Sequence, residues 1–138
     1  MGIAYRNSEG YSDPVPFQAV ANMDRKKYRP LIYICSAFSG DEEGNAEKAR
    51  KYSRFAVDSG AIPLAPHLLL SQFMDEGKER ELAMLMDMVF LGKCEEVWVF
   101  GSEVRLSEGM KAEIGRAERR NMKIRYFTEG LKEDTGCR

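Results

Sequence analysis

Residues 94–117 read CEEVWVFGSEVRLSEGMKAEIGRA, and the fold turns on how this stretch divides. Glu96-Val97-Trp98-Val99-Phe100 is β-branched and aromatic and stops at Gly101, the pattern of a buried strand. After a short loop, Ser107 suits a helix N-cap and Glu108 suits the positive end of the helix that follows. At about 100° per residue, Met110, Ile114 and Ala117 line up as one apolar stripe, with Glu113 on its edge. A strand, a loop and a helix in that order put Glu113 above the carboxyl end of a strand, where open α/β sheets hold their ligands.

The flanking sequence repeats the theme. Pro30 introduces Leu31-Ile32-Tyr33-Ile34-Cys35, apolar on both faces and therefore suited to a central parallel strand. It empties into Ser36-Ala37-Phe38-Ser39-Gly40-Asp41, whose small residues let a ligand approach the backbone. Ala46, Ala49, Tyr52, Phe55 and Ala56 predict a helix over 45–59, closed by Gly60 at C′. A second strand is expected over 61–65, at an edge because of Pro63. A short helical or lid-like segment over 66–73 and a polar break at 75–78 precede the most apolar helix, over 79–93. Residues 123–127 alternate like a strand with one wet face.

Strands alternating with helices in this order predict an α/β fold, Rossmann-like or flavodoxin-like. Its parallel sheet should have roughly four to five strands, with helices on both faces. Residues 30–128 form the expected domain. Residues 1–29 read as an irregular arm, with at most a short strand or turn near 17–20, and the polar tail at 129–138 is expected to fray.

Composition narrows the function classes. With 21 Lys+Arg against 22 Asp+Glu the formal charge is −1, so no global field recruits a nucleic-acid polymer or an anionic membrane. The apolar run at 82–91 is too short to span a bilayer and carries an Asp, and no signal-peptide core is visible. Three cysteines, Cys35, Cys94 and Cys137, without CxxC spacing argue against a disulfide framework or a zinc site. A reduced, cytoplasmic protein is the simplest expectation.

Several residues stand out against this background. Asp87 is the only polar side chain in LAMLMDMVFL, residues 82–91. A carboxyl group in apolar surroundings is usually paired, protonated or functional, although a side chain turned to solvent or bonded to an amide would read the same way. Glu113 is equally compatible with a solvated helical position. Ser107 is a cap, and with Gly109 it also forms a helix N-terminus able to face an anion. Tyr33 is either a core tyrosine or a group at a ligand site. His67 is the single histidine; without a second His or a nearby Cys, no metal is expected, and a substrate-touching or structural role fits it better. The loop after the first strand matches neither GxGxxG nor GxxxxGK[ST], which disfavours dinucleotide and P-loop sites.

Five pieces of sequence together carry a resemblance. They are YICSAFSG at 33–40, Pro66-His67, Asp87, EVWVFG at 96–101 and SEGMKAEIGRA at 107–117. In this order they resemble the nucleoside 2-deoxyribosyltransferase superfamily, which includes the 2′-deoxynucleoside 5′-phosphate N-hydrolases. The resemblance covers about residues 30 to 127.

It implies that Glu113 is a nucleophile toward C1′, that Asp87 protonates or hydrogen-bonds the departing base and that Tyr33 orients the nucleophile or the sugar. It further implies a substrate-binding set of Ser36, Ser39, Gly40, His67, Gly101, Ser107 and Gly109, no cofactor, a nucleoside or nucleotide as the small-molecule partner, and a homodimer or higher homo-oligomer. The chain departs from the pattern in having Ser36-Ala37 where hydrolases often carry Gly-Ser, and it lacks the PGGxGTxxE motif of related phosphoribohydrolases. Two competing readings are a non-catalytic nucleotide- or nucleotide-sugar-binding module on the same scaffold, and an interaction protein using the 82–91 helix as a dimer interface.

Overall fold

A computed structural model of the chain describes residues 27–38 and 40–135. Ser39, Cys137 and the arm expected over 1–29, apart from 27–29, lie outside the described residues. The element order is β1 (Leu31–Cys35), α1 (Glu42–Asp58), β2 (Ile62–Leu64), α2 (Pro66–Leu70), α3 (Arg80–Lys93), β3 (Glu96–Phe100), α4 (Glu108–Arg119) and β4 (Lys123–Phe127).

The strands form one all-parallel four-stranded sheet in the order β2-β1-β3-β4. β1 and β3 are therefore central, in agreement with their continuous apolar sequence, and both are buried from their second residue onward. β2 lies at one edge, as Pro63 requires.

Period-two alternation along β1 sorts its side chains to two layers. Ile32 and Ile34 join Trp98, Phe100 and Phe127 beneath Tyr52 and Ala56 of α1. Tyr33 and Cys35 face the other way, with Val97 and Val99, against Leu91 of α3 and Met110, Ile114 and Ala117 of α4. Helices thus cover both faces of a parallel α/β sheet. The chain runs outward from β1 to β2 and then returns across β1 to β3, which makes the β1/β3 boundary a topological switch point with a crevice at its carboxyl end.

Two expectations need correction. The first helix starts at Glu42 rather than near 45, because Asp41 caps it by accepting from the Gly44 amide at 3.1 Å. A Cβ at Gly44 would meet Asp41 Oδ2 at 2.2 Å, so glycine here permits the cap rather than breaking the helix. The tail does not fray through 129–135. It turns back so that the Asp134 amide donates to the Tyr126 carbonyl at 2.8 Å, while Arg125 holds Glu133 with two hydrogen bonds, at 2.8 and 2.7 Å. This return covers the edge of β4. Among the described residues no helix is long and apolar enough to cross a membrane.

Candidate active site

The carboxyl ends of β1 and β3 open into a cleft lined by Ser36, His67, Asp87, Ser107 and Glu113 among others. The register of β1 sends Tyr33 into the layer shared with α4. On α4, Glu113 lies on the inward face beside Met110 and Ile114, and only 4% of it is exposed. The two meet, with the Tyr33 hydroxyl donating to Glu113 Oε2 at 2.5 Å. Burial pushes the Glu113 pKa up to about 7, against the Tyr33 hydroxyl and, secondarily, the nearby Cys35 thiol, which favour its charged form.

Asp87 projects from the inward face of α3 between Ala83 and Leu91, 5% exposed. Its Oδ1 has no hydrogen-bond partner. Burial raises its pKa to about 7, helped by the negative charges of Glu113 and Glu76. Among the described residues Glu113 has a donor in Tyr33 and Asp87 Oδ1 has none, so the charged form is favoured more at Glu113 than at Asp87. Two carboxyl groups with unequal environments are thereby set up as one base and one acid.

His67 follows Pro66 at the start of α2, and its ring stacks on Phe38 with centroids 4.6 Å apart and planes 20° from parallel. Burial lowers its pKa to about 4, so the imidazole is neutral at pH 7. Its Nδ1 lies 3.5 Å from Glu76 Oε1 yet makes no hydrogen bond, and a neutral ring forms no ion pair. Glu76 Oε2 also lacks a partner, and burial, then the charge of Glu42, raises the Glu76 pKa.

His67, Asp87 and Glu113 each offer a ligating atom, all within 4.8 Å of one another. One imidazole nitrogen and two carboxylate oxygens are a set able to hold a divalent cation. The sequence argued against a metal from the lack of a second His or a Cys; a cluster completed by carboxylates from two different helices escaped that reasoning.

Ser107 caps α4 by accepting from the Met110 amide at 3.2 Å, and with Ser36 and Gly109 it lines the same cleft. The cleft thus gathers Asp87, Glu113, His67, Ser36, Ser107 and Gly109, with Tyr33 directly behind Glu113. Gly101, at φ +80°, instead lines an adjoining cavity with Lys48 and Arg105, reached past Ser36. Gly40, exposed and at φ +96°, lines neither cavity, and Ser39 lies outside the described residues. Sequence reasoning missed Glu76, Phe38 and Cys35. Only Cys35 left a signal, two positions after Tyr33 on the same face of the strand.

No curated protein matches the chain. Among solved structures, a 2-deoxyribosyltransferase from the psychrotolerant bacterium Bacillus psychrosaccharolyticus superposes with a TM-score of 0.53 at 16% identity, covering 71% of this chain and 72% of that one. At that identity the likeness is one of fold. Residues 30–127 match the family described as Domain of unknown function (DUF7768), and the chain belongs to that family.

Proposed function

We propose that this protein cleaves or transfers the N-glycosidic bond of 2′-deoxyribonucleosides or their 5′-monophosphates, with Glu113 as nucleophile and Asp87 as general acid. The observation that carries this reading is the Asp87–Glu113 pair. Its oxygens lie within 4.8 Å in one cleft, one carboxyl held by Tyr33 and the other without a donor. That separation is close to the roughly 5–5.5 Å of retaining glycosidases and below the roughly 6.5–9.5 Å of inverting ones, so it suits direct attack with retention of configuration. The shared fold with the 2-deoxyribosyltransferase supports the same reading.

In the first step a Glu113 oxygen bonds to C1′ as the C1′–N bond breaks. Asp87 gives its proton to the departing base, leaving a glycosyl ester and a free base. In the second step water attacks C1′ and passes a proton to Asp87, releasing the sugar and restoring Glu113. In transfer, the nitrogen of a second base attacks instead and gives up its own N–H proton to Asp87, restoring the acid. Ser36, Ser107 and the amides at the start of α4 hold the 5′-hydroxyl or 5′-phosphate. This chemistry requires no metal or organic cofactor.

The test is chromatographic, using 2′-deoxynucleosides and their 5′-monophosphates with and without an added free base, and Glu113→Ala alongside. Base released by wild type and not by the variant supports the reading. Absence of release, with nucleotides still raising the melting temperature, would replace it with a non-catalytic binding module. The His67, Asp87 and Glu113 cluster favours one second reading, a metal-assisted hydrolase, which a chelator distinguishes.

A further inference from the structure

We infer that Glu76 reads the edge of the base remote from the sugar, and that the site selects bases carrying an exocyclic amine there, as in cytosine and adenine, over their oxo counterparts. The inference rests on the nucleoside reading above and adds to it the class of base.

The buried side-chain atoms left without a hydrogen-bond partner among the described residues are His67 Nδ1, Glu76 Oε2 and Asp87 Oδ1. All three residues line the same cleft. Buried polar atoms in folded proteins are nearly always satisfied, so three orphans converging on one space mark where a polar ligand belongs. Asp87, 95% buried by its 5% exposure, is the strongest of them.

In the proposed reaction Glu113 is the group that meets C1′. Asp87 and His67 lie within 4.8 Å of it and of each other. Glu76 adjoins this cluster through His67, with Oε1 3.5 Å from His67 Nδ1 and its side chain 11% exposed. A flat base attached at C1′ passes Asp87 first and presents its far edge to Glu76. Position 4 of a pyrimidine and position 6 of a purine lie on that far edge.

A carboxylate accepts hydrogen bonds and donates none. An amine at that position gives Glu76 Oε2 the hydrogen it lacks. A carbonyl oxygen at the same position sets lone pair against lone pair, and only the N–H of the neighbouring ring nitrogen, set to one side of it, remains to donate. The wider charge pattern agrees: Glu42, Glu76, Asp87 and Glu113 line the cleft against a single guanidinium, Arg80. Among the described residues, no Lys or Arg forms an ion pair with Glu76.

The experiment uses two pairs, deoxycytidine with deoxyuridine and deoxyadenosine with deoxyinosine, in which the amine becomes a carbonyl and the neighbouring ring nitrogen gains a hydrogen. Base release is followed for wild type and for Glu76→Gln, and binding of the same four nucleosides to Glu113→Ala is measured by calorimetry. Wild type should favour the amine member of each pair about tenfold to a hundredfold, the worth of one charge-assisted hydrogen bond. Glu76→Gln can turn either its amide N–H or its carbonyl to the base, so its ratio should fall to about unity.

Equal release from both members, or a ratio untouched by Glu76→Gln, overturns the inference and leaves the glycosidic reaction standing. An amine preference in binding without any release keeps the role of Glu76 and overturns the reaction. Neither release nor a preference in binding overturns both.

Discussion

The Tyr33 hydroxyl donates to Glu113 Oε2 at 2.5 Å, joining residues 80 positions apart in the chain. A central strand and the helix after the next strand but one in sequence order must both be in register for this bond to form. It opposes the burial that pushes the Glu113 pKa up to about 7. A hydrogen bond to a charged group is worth about 1.5–3 kcal/mol, equivalent to about one to two pH units. Tyr33→Phe keeps the ring and removes the donor. The rising limb of kcat/KM against pH should therefore move upward by about that amount, with a loss of about fivefold to fiftyfold at pH 7. Coincident profiles for wild type and variant would show that the bond does not govern the nucleophile.

Asp87 is tested through the leaving group. Asparagine matches its shape and has no acidic proton to give. For ordinary bases Asp87→Asn should lower kcat about 100- to 10,000-fold, the usual span for a lost general acid. A base that is already cationic, such as 7-methylguanine, departs without needing that proton, and with it the loss should nearly vanish. Parallel losses on methylated and unmethylated substrates would assign Asp87 to positioning instead.

The same pair makes stability depend on pH. Asp87 and Glu113 rise from ordinary values of 3.8 and 4.5 to about 7 in the folded protein. Between about pH 4 and pH 7 the folded state holds protons that the unfolded chain has lost. The stability contributed by these groups is complete below the unfolded values and drains as pH climbs through 7. His67 works in the opposite sense, since burial takes its pKa down to about 4 and its contribution is lost as pH falls toward that value. The clean readout is therefore a difference. The unfolding free energy of Asp87→Asn relative to wild type, measured by denaturant titration, should climb from pH 4 to pH 7, with a limiting slope of about 1.4 kcal/mol per pH unit for the one group removed. A flat difference would mean that Asp87 ionises in the folded protein as it does in water.

Much of this architecture was legible in advance because it rests on periodicity. The continuous apolar runs at 31–35 and 96–100 identify the central strands, and Pro63 assigns β2 to an edge. Asp87 stood out because a lone carboxyl in an apolar run is costly. Glu113 was read at the margin of its stripe and is in fact buried with it, because the strand opposite supplies a tyrosine donor. Glu76 was invisible. It sits in the polar break at 75–78, and no spacing rule says that such a loop folds back to place a carboxylate 3.5 Å from His67. The return of the tail onto β4 was hidden for the same reason: Arg125 and Glu133 find each other through a turn, not through a periodic pattern.

The cluster of His67, Asp87 and Glu113 sets the last prediction, because it separates two chemistries by one reagent. A divalent cation there would have to displace the Asp87 proton and compete with the Tyr33 hydrogen bond for Glu113 Oε2. If Glu113 attacks C1′ directly, EDTA leaves base release unchanged. Added Mn²⁺ or Zn²⁺ then inhibits by occupying the nucleophile, more strongly as pH rises and protons cease to compete. Calorimetric titration with each metal, in wild type and in His67→Gln, gives the binding itself independently of turnover. Release that disappears with EDTA and returns with one of these cations would overturn the nucleophile assignment, and would make the same three side chains the ligands of a hydrolytic metal.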